Sequence, residues 1–152
     1  MDLCGISENK LAEALKYGSA FDMPDIYRLI TKLISDYDYC KAKEIIIANE
    51  INLVDGEFSY HILDSAVESC LNIVVDDKGI ETDMIKAGKC FKPTEKTCKF
   101  IAWLLKNGAD PYLPENFNQF EHILDLQRDC SEQRNCIFDC SEIIALLKQY
   151  SV

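Results

Sequence analysis

No stretch of this sequence stays apolar for long enough to cross a bilayer, which takes about 20 residues. The opening residues, Met1-Asp2-Leu3-Cys4-Gly5, lack a basic segment followed by an apolar core. A secretory signal is therefore not expected, and a cytoplasmic location is. Basic charge is scarce too: 16 Lys and Arg face 26 Asp and Glu, for a net charge of -10 and a pI near 4.6. Phosphate backbones demand a basic face, so nucleic acid is a poor partner. Histidine occurs only twice. There is no HExxH, no Gly-rich phosphate loop and no recognisable serine or cysteine nucleophile motif. These absences predict a chain that is not an enzyme and carries no cofactor. Strand-like alternation is also missing, which predicts an all-α fold.

What is present suits a globular chain. The 152 residues fit one domain, 1–152, with 48% hydrophobic and 28% charged residues. Ile26, Leu29, Ile30, Leu33, Ile34 and Tyr37 lie at the spacing of one helix face, with Pro24 suited to the first turn. Ser7 and Gly18 bracket a candidate helix over 8–17. Further apolar stripes predict helices over 39–49, 60–71 and 120–127, and a last one over 141–149. Thr94 and Gly108 frame another over 95–107, as N-cap and left-handed C-cap.

Eight cysteines stand at 4, 40, 70, 90, 98, 130, 136 and 140. Several occupy helix positions that want a small apolar side chain, so they read mostly as reduced, buried hydrophobes. Cys130, Cys136 and Cys140 are spaced by six and four residues, whereas zinc sites usually open with a closer pair. Asp76, Asp77, Glu81 and Asp83 lack the spacing of a calcium-binding EF-hand. No metal is expected.

Internal repetition is the strongest pattern. Both histidines lie in the same tetrapeptide, His61-Ile62-Leu63-Asp64 and His122-Ile123-Leu124-Asp125. A similar apolar run precedes each: Ile45-Ile46-Ile47-Ala48-Asn49-Glu50 in one unit, Ile101-Ala102-Trp103-Leu104-Leu105-Lys106 in the other. Ile143-Ile144-Ala145-Leu146-Leu147-Lys148 begins a third copy. Leu104-Leu105-Lys106-Asn107-Gly108-Ala109-Asp110-Pro111 resembles the helix-end and turn signature of ankyrin repeats, and Tyr60-His61-Ile62-Leu63 resembles that family's helix start. The Thr-Pro of the family is replaced by Phe58-Ser59 and Gln119-Phe120. Asn52 and Asp110 lie 58 positions apart, against about 33 for the family repeat.

The resemblance implies an all-α, ankyrin-like solenoid of stacked antiparallel helix pairs. Its irregular spacing predicts a long inter-repeat insertion over about 71–94 and a smaller one over about 129–140. It also implies that His61 and His122 hold equivalent places near helix starts, each bonded to its preceding loop, with no site shared between them.

Charge is unevenly spread. Residues 84–107 carry six lysines against Glu95, whereas 110–142 carry eight acids against Arg128 and Arg134. In ankyrin-like stacks, loop tips and inner helices form a concave binding face. Here that face comprises Asp55, Glu57, Phe58 and Tyr60, then Tyr112, Glu115, Asn116, Phe117 and Glu121. Aromatics flanked by acids suit a basic protein partner. The plainer reading is that Phe58 and Phe117 only pack their loops and the acids only keep the protein in solution. The expected function is non-catalytic binding of another protein by a chain that is monomeric when free, with no nucleic acid or membrane partner. One alternative is a toxin-neutralising immunity protein or pathogen effector that blocks its target stoichiometrically. A second is a metal-dependent regulator or enzyme built on the inserted loops.

Overall fold

A computed structural model describes residues 23–54 and 60–150 of the chain. The helix expected over 8–17 lies outside them. Six α-helices occur among the described residues: α1 Met23–Ser35, α2 Tyr39–Ala48, α3 Tyr60–Glu68, α4 Glu95–Lys106, α5 Gln119–Arg134 and α6 Ser141–Gln149. Four short strands accompany them: β1 Val74–Asp76, β2 Glu81–Thr82, β3 Cys90–Pro93 and β4 Ile137–Phe138.

The fold is therefore mixed α/β, and the all-α, ankyrin-like solenoid expectation is wrong. Strand order is β2-β1-β3-β4, with antiparallel pairing except between β3 and β4, which run parallel. The sheet is built from the two segments that the sequence marks as insertions. The first contributes β1 to β3; the second contributes β4. Cys90 pairs with Ile137 and Phe91 with Phe138, so segments far apart in the chain meet in one ladder. Residues 129–134 belong to α5, which runs well past the expected 120–127. Asn135 ends it in the left-handed conformation, φ 55°, and the Cys136 amide returns to the Cys130 carbonyl at 2.9 Å.

Helix formation follows the apolar stripes. Ile26, Ile30, Leu33 and Ile34 of α1 are buried, and so are Ile62, Leu63, Ala66 and Val67 of α3. α3 is packed between α1 and α5 and also touches α4, while α6 packs on α4 and α5. The N-cap of α4 is the one the sequence predicts: the Thr97 amide donates to the Thr94 hydroxyl at 3.1 Å. No helix among the described residues is long and apolar enough to cross a membrane.

The end of α4 yields a sharp prediction. The Ala109 amide donates to the Leu104 carbonyl at 3.0 Å, closing the turn. Gly108 sits there at φ +107°, and a Cβ on it would fall 2.4 Å from Cγ2 of Val54. Gly108→Ala adds a collision to a strained backbone, so it is expected to cost more than about 1 kcal/mol in chemical denaturation. Val54→Ala in the same chain should recover only the collision. Gly79→Ala is the control, because its positive φ meets nothing within 4 Å. Equal losses at the two glycines would refute the collision.

Candidate interaction surface and the His122 clasp

The segment between α4 and α5 brings the second group of predicted site residues together. Tyr112, Glu115, Asn116, Phe117 and Glu121 are all exposed. Of the first group, Asp55, Glu57 and Phe58 lie outside the described residues, as does the Tyr60 side chain.

Local hydrogen bonds shape the loop. The Asp110 carboxylate accepts from the Tyr112 amide at 2.9 Å, and the Gln119 amide donates to the Pro111 carbonyl at 2.9 Å. Asn118 caps α5 by accepting from the Glu121 amide at 3.0 Å. The two exposed aromatics lean on fixed neighbours. The Tyr112 ring lies 5.5 Å from that of Phe120, and the Phe117 ring 5.5 Å from the imidazole of His122. Each still presents a large fraction to solvent, 46% and 39%.

His122 anchors this arrangement. Its side chain is only 8% exposed, and its Nδ1 lies 2.9 Å from Oδ1 of Asp64. Its Nε2 meets a carboxylate oxygen of Glu68. Asp64 and Glu68 are four residues apart on α3, so one helix face presents both carboxylates. The Gln119 amide reinforces the clasp, donating to Asp64 at 3.2 Å and to the Leu113 carbonyl at 2.9 Å. Burial alone would push the His122 pKa down. Hydrogen bonds to Asp64 and Glu68, and their charges, outweigh burial and hold it above its ordinary 6.5. Burial would likewise raise the Asp64 pKa, but the His122 hydrogen bond and charge hold it below its ordinary 3.8.

This geometry corrects the expectation for the histidines. His122 is the fourth residue of α5 and His61 the second of α3. Rather than bonding to its own preceding loop, His122 bonds across to α3; from that loop it receives a ring contact. Its partners are Asp64, Glu68 and Gln119, not His61. Residues 55–59 of the loop before His61 lie outside the described residues. Sequence reasoning met Asp64 and Gln119 only as parts of the repeat pattern, gave them no role at a site, and did not reach Glu68. The pair lies on the polar face of α3 with His61 and Ser65, opposite the buried Ile62, Leu63, Ala66 and Val67, so it reads locally as an ordinary solvated face. Both imidazole nitrogens are occupied by carboxylates, so the cluster holds a charge and leaves neither nitrogen open to a substrate.

Among the described residues, no group of three histidine, cysteine, aspartate or glutamate side chains is arranged to hold a metal ion. Six described cysteines are free thiols. Four of these are buried, and burial raises all four, Cys98 to about 12, which makes them poor nucleophiles. Cys40 is disulfide-bonded, an exception to the reduced reading. Comparison with protein-family models, curated proteins and solved structures finds no match. The ankyrin resemblance thus rests on the residues quoted for it and on no relative.

Proposed function

We propose that this protein acts by stoichiometric, non-catalytic binding of another protein through the loop 110–118 and the first turn of α5. The observation that carries this reading is the pair of aromatics, Tyr112 and Phe117. Both remain well exposed while neighbouring rings hold them in place. Pre-placed rings lose little entropy on binding, and a few such aromatic anchors carry most of the binding energy of a typical interface. Glu115 and Glu121 flank them, exposed, and favour a basic partner. A chain with six free thiols among its described residues suits a reducing compartment such as the cytoplasm; the disulfide at Cys40 counts the other way.

The test is binding kinetics at two salt concentrations, against the partner captured with the wild-type chain. Reversing charge at Glu115 and Glu121 should slow association several-fold, and the difference should shrink at high salt. Phe117→Ala should speed dissociation roughly thirtyfold, the equivalent of about 2 kcal/mol for a hot-spot ring. Unchanged kinetics in both would place the interface elsewhere, with the lysine-rich segment 86–106 next to be tested.

A further inference from the structure

Both ring nitrogens of His122 face carboxylates, and carboxylates only accept hydrogen bonds. A neutral imidazole offers one N–H, so it can satisfy one of these partners and must turn a lone pair toward the other. Only the doubly protonated ring satisfies both. The clasp therefore has two states with different hydrogen-bonding capacity, and its surroundings tie those states to the loop. Phe117 leans on the imidazole from the loop side. Gln119 joins the Asp64 carboxylate to the Leu113 carbonyl. We propose that His122 is a pH-sensitive latch: as an imidazolium it pins the loop 110–118 to α3, and on losing its proton it lets that loop go.

The charged groups around the latch come from three elements. α3 supplies Asp64 and Glu68, and the charge of His61 acts on Asp64. α1 supplies Arg28 and Lys32, which line a cavity of about 340 Å³ together with Asp64, Ser65 and Glu68. Lys32 pairs with Asp36 at 3.5 Å. α5 supplies the neutral amide of Gln119 beside the ring, and its nearby Asp125 is paired with Arg128 at 3.2 Å.

The sign follows from the two shifted groups. Because the folded His122 pKa is raised, its stabilisation is complete below 6.5 and fades as pH rises through the folded value. Because the folded Asp64 pKa is lowered, its stabilisation is complete above 3.8 and fades as pH falls through the folded value. The latch is closed most firmly between these limits and opens on the alkaline side by loss of the His122 proton.

The latch belongs to the free chain, and only its consequence for a partner rests on the binding role proposed above. The experiment is an NMR titration of the full-length protein without any partner, following the His122 imidazole and the amides of Leu113, Phe117 and Gln119. The imidazole midpoint should lie above 6.5. Hydrogen-exchange protection in the loop, corrected for the intrinsic pH dependence of exchange, should fall along the same curve. A drop of about tenfold corresponds to folded and unfolded midpoints one pH unit apart. His122→Gln, which keeps an N–H-bearing polar side chain and cannot titrate, should flatten the loop's response. Glu68→Gln alters an exposed carboxylate, so the chain should stay folded, and the imidazole midpoint should drop. An imidazole midpoint at or below 6.5, or loop amides indifferent to His122 titration, overturns the latch. Partner binding is a separate measurement. A working latch with no partner effect would refute the binding surface alone, and binding without loop titration would refute the latch alone.

Discussion

Phe138→Ala is expected to destabilise the protein by about 3–5 kcal/mol, the usual cost of emptying a fully buried phenylalanine site. Phe138 is 1% exposed, and its ring lies 5.9 Å from that of Phe91. It belongs to a strand of two residues, so the ladder alone cannot hold β4. The Ile137 amide donates to the Lys89 carbonyl just before β3 and the Asp139 amide to the Phe91 carbonyl within it, and the Gln127 side-chain amide covers the Phe138 carbonyl at 3.3 Å. What fixes β4 is the buried ring, and β4 in turn delivers the chain to α6. Losing the ring should loosen the parallel pairing and the docking of α6 together. Phe138→Leu should cost much less, within about 1.5 kcal/mol, because it refills most of the volume. Ile137→Ala should cost within about 0.5 kcal/mol, since that side chain is 66% exposed. Urea unfolding of the three variants settles the matter. A loss below about 1 kcal/mol for Phe138→Ala would mean the ring is not the anchor.

The same strand shows why the sheet was illegible in the sequence. Alternation becomes a signal only over four or more residues. β4 has two residues and β2 has two. β3 does alternate, with Phe91 and Pro93 inward and Cys90 and Lys92 outward, but four residues cannot outweigh the helix stripes on either side. The partner of β3 lies across α4, the loop and α5, and no local pattern announces a contact at that separation. Helices were legible for the opposite reason. α1 and α4 each carry their own evidence in several turns of buried apolar residues, and α4 adds its cap residues.

The candidate surface divides along the same line. Tyr112, Phe117 and the acids beside them follow a turn signature that the residues spell out locally. The clasp does not, because Asp64 and His122 lie 58 positions apart and meet only when α3 packs on α5. Repetition of the His-Ile-Leu-Asp tetrapeptide correctly drew attention to His122. It also suggested a loop-bonded role, since a repeat describes what one unit does alone, and this bond joins two units.

Phe100→Ala should rival Phe138→Ala in cost, again about 3–5 kcal/mol, and the protein carries its own reporter for it. Phe100 is 1% exposed. Its ring stacks on Tyr39, with centroids 4.6 Å apart, and on Trp103, with centroids 6.2 Å apart. Through Tyr39 the start of α2 thus meets α4 by a ring contact and by a run of hydroxyl groups. The Tyr39 hydroxyl pairs with that of Thr97 at 2.8 Å, Thr94 donates to Thr97 at 3.0 Å, and Tyr37 donates to Thr94 at 2.7 Å. Burial raises both tyrosines, Tyr37 to about 12, so each stays protonated and neutral across the ordinary pH range. Removing the ring opens a void beside buried hydroxyls, which adds exposure of polar partners to the lost packing. Trp103 is the only tryptophan in the chain, so its emission should shift to the red in Phe100→Ala as water reaches the emptied side of the indole. A double-mutant cycle between Phe100→Leu and Tyr39→Leu isolates the stacking itself, with a coupling of about 0.5–1.5 kcal/mol expected for an aromatic pair. A coupling indistinguishable from zero would reduce the stack to ordinary burial. An unchanged Trp103 emission in Phe100→Ala would mean that the neighbouring side chains close the void.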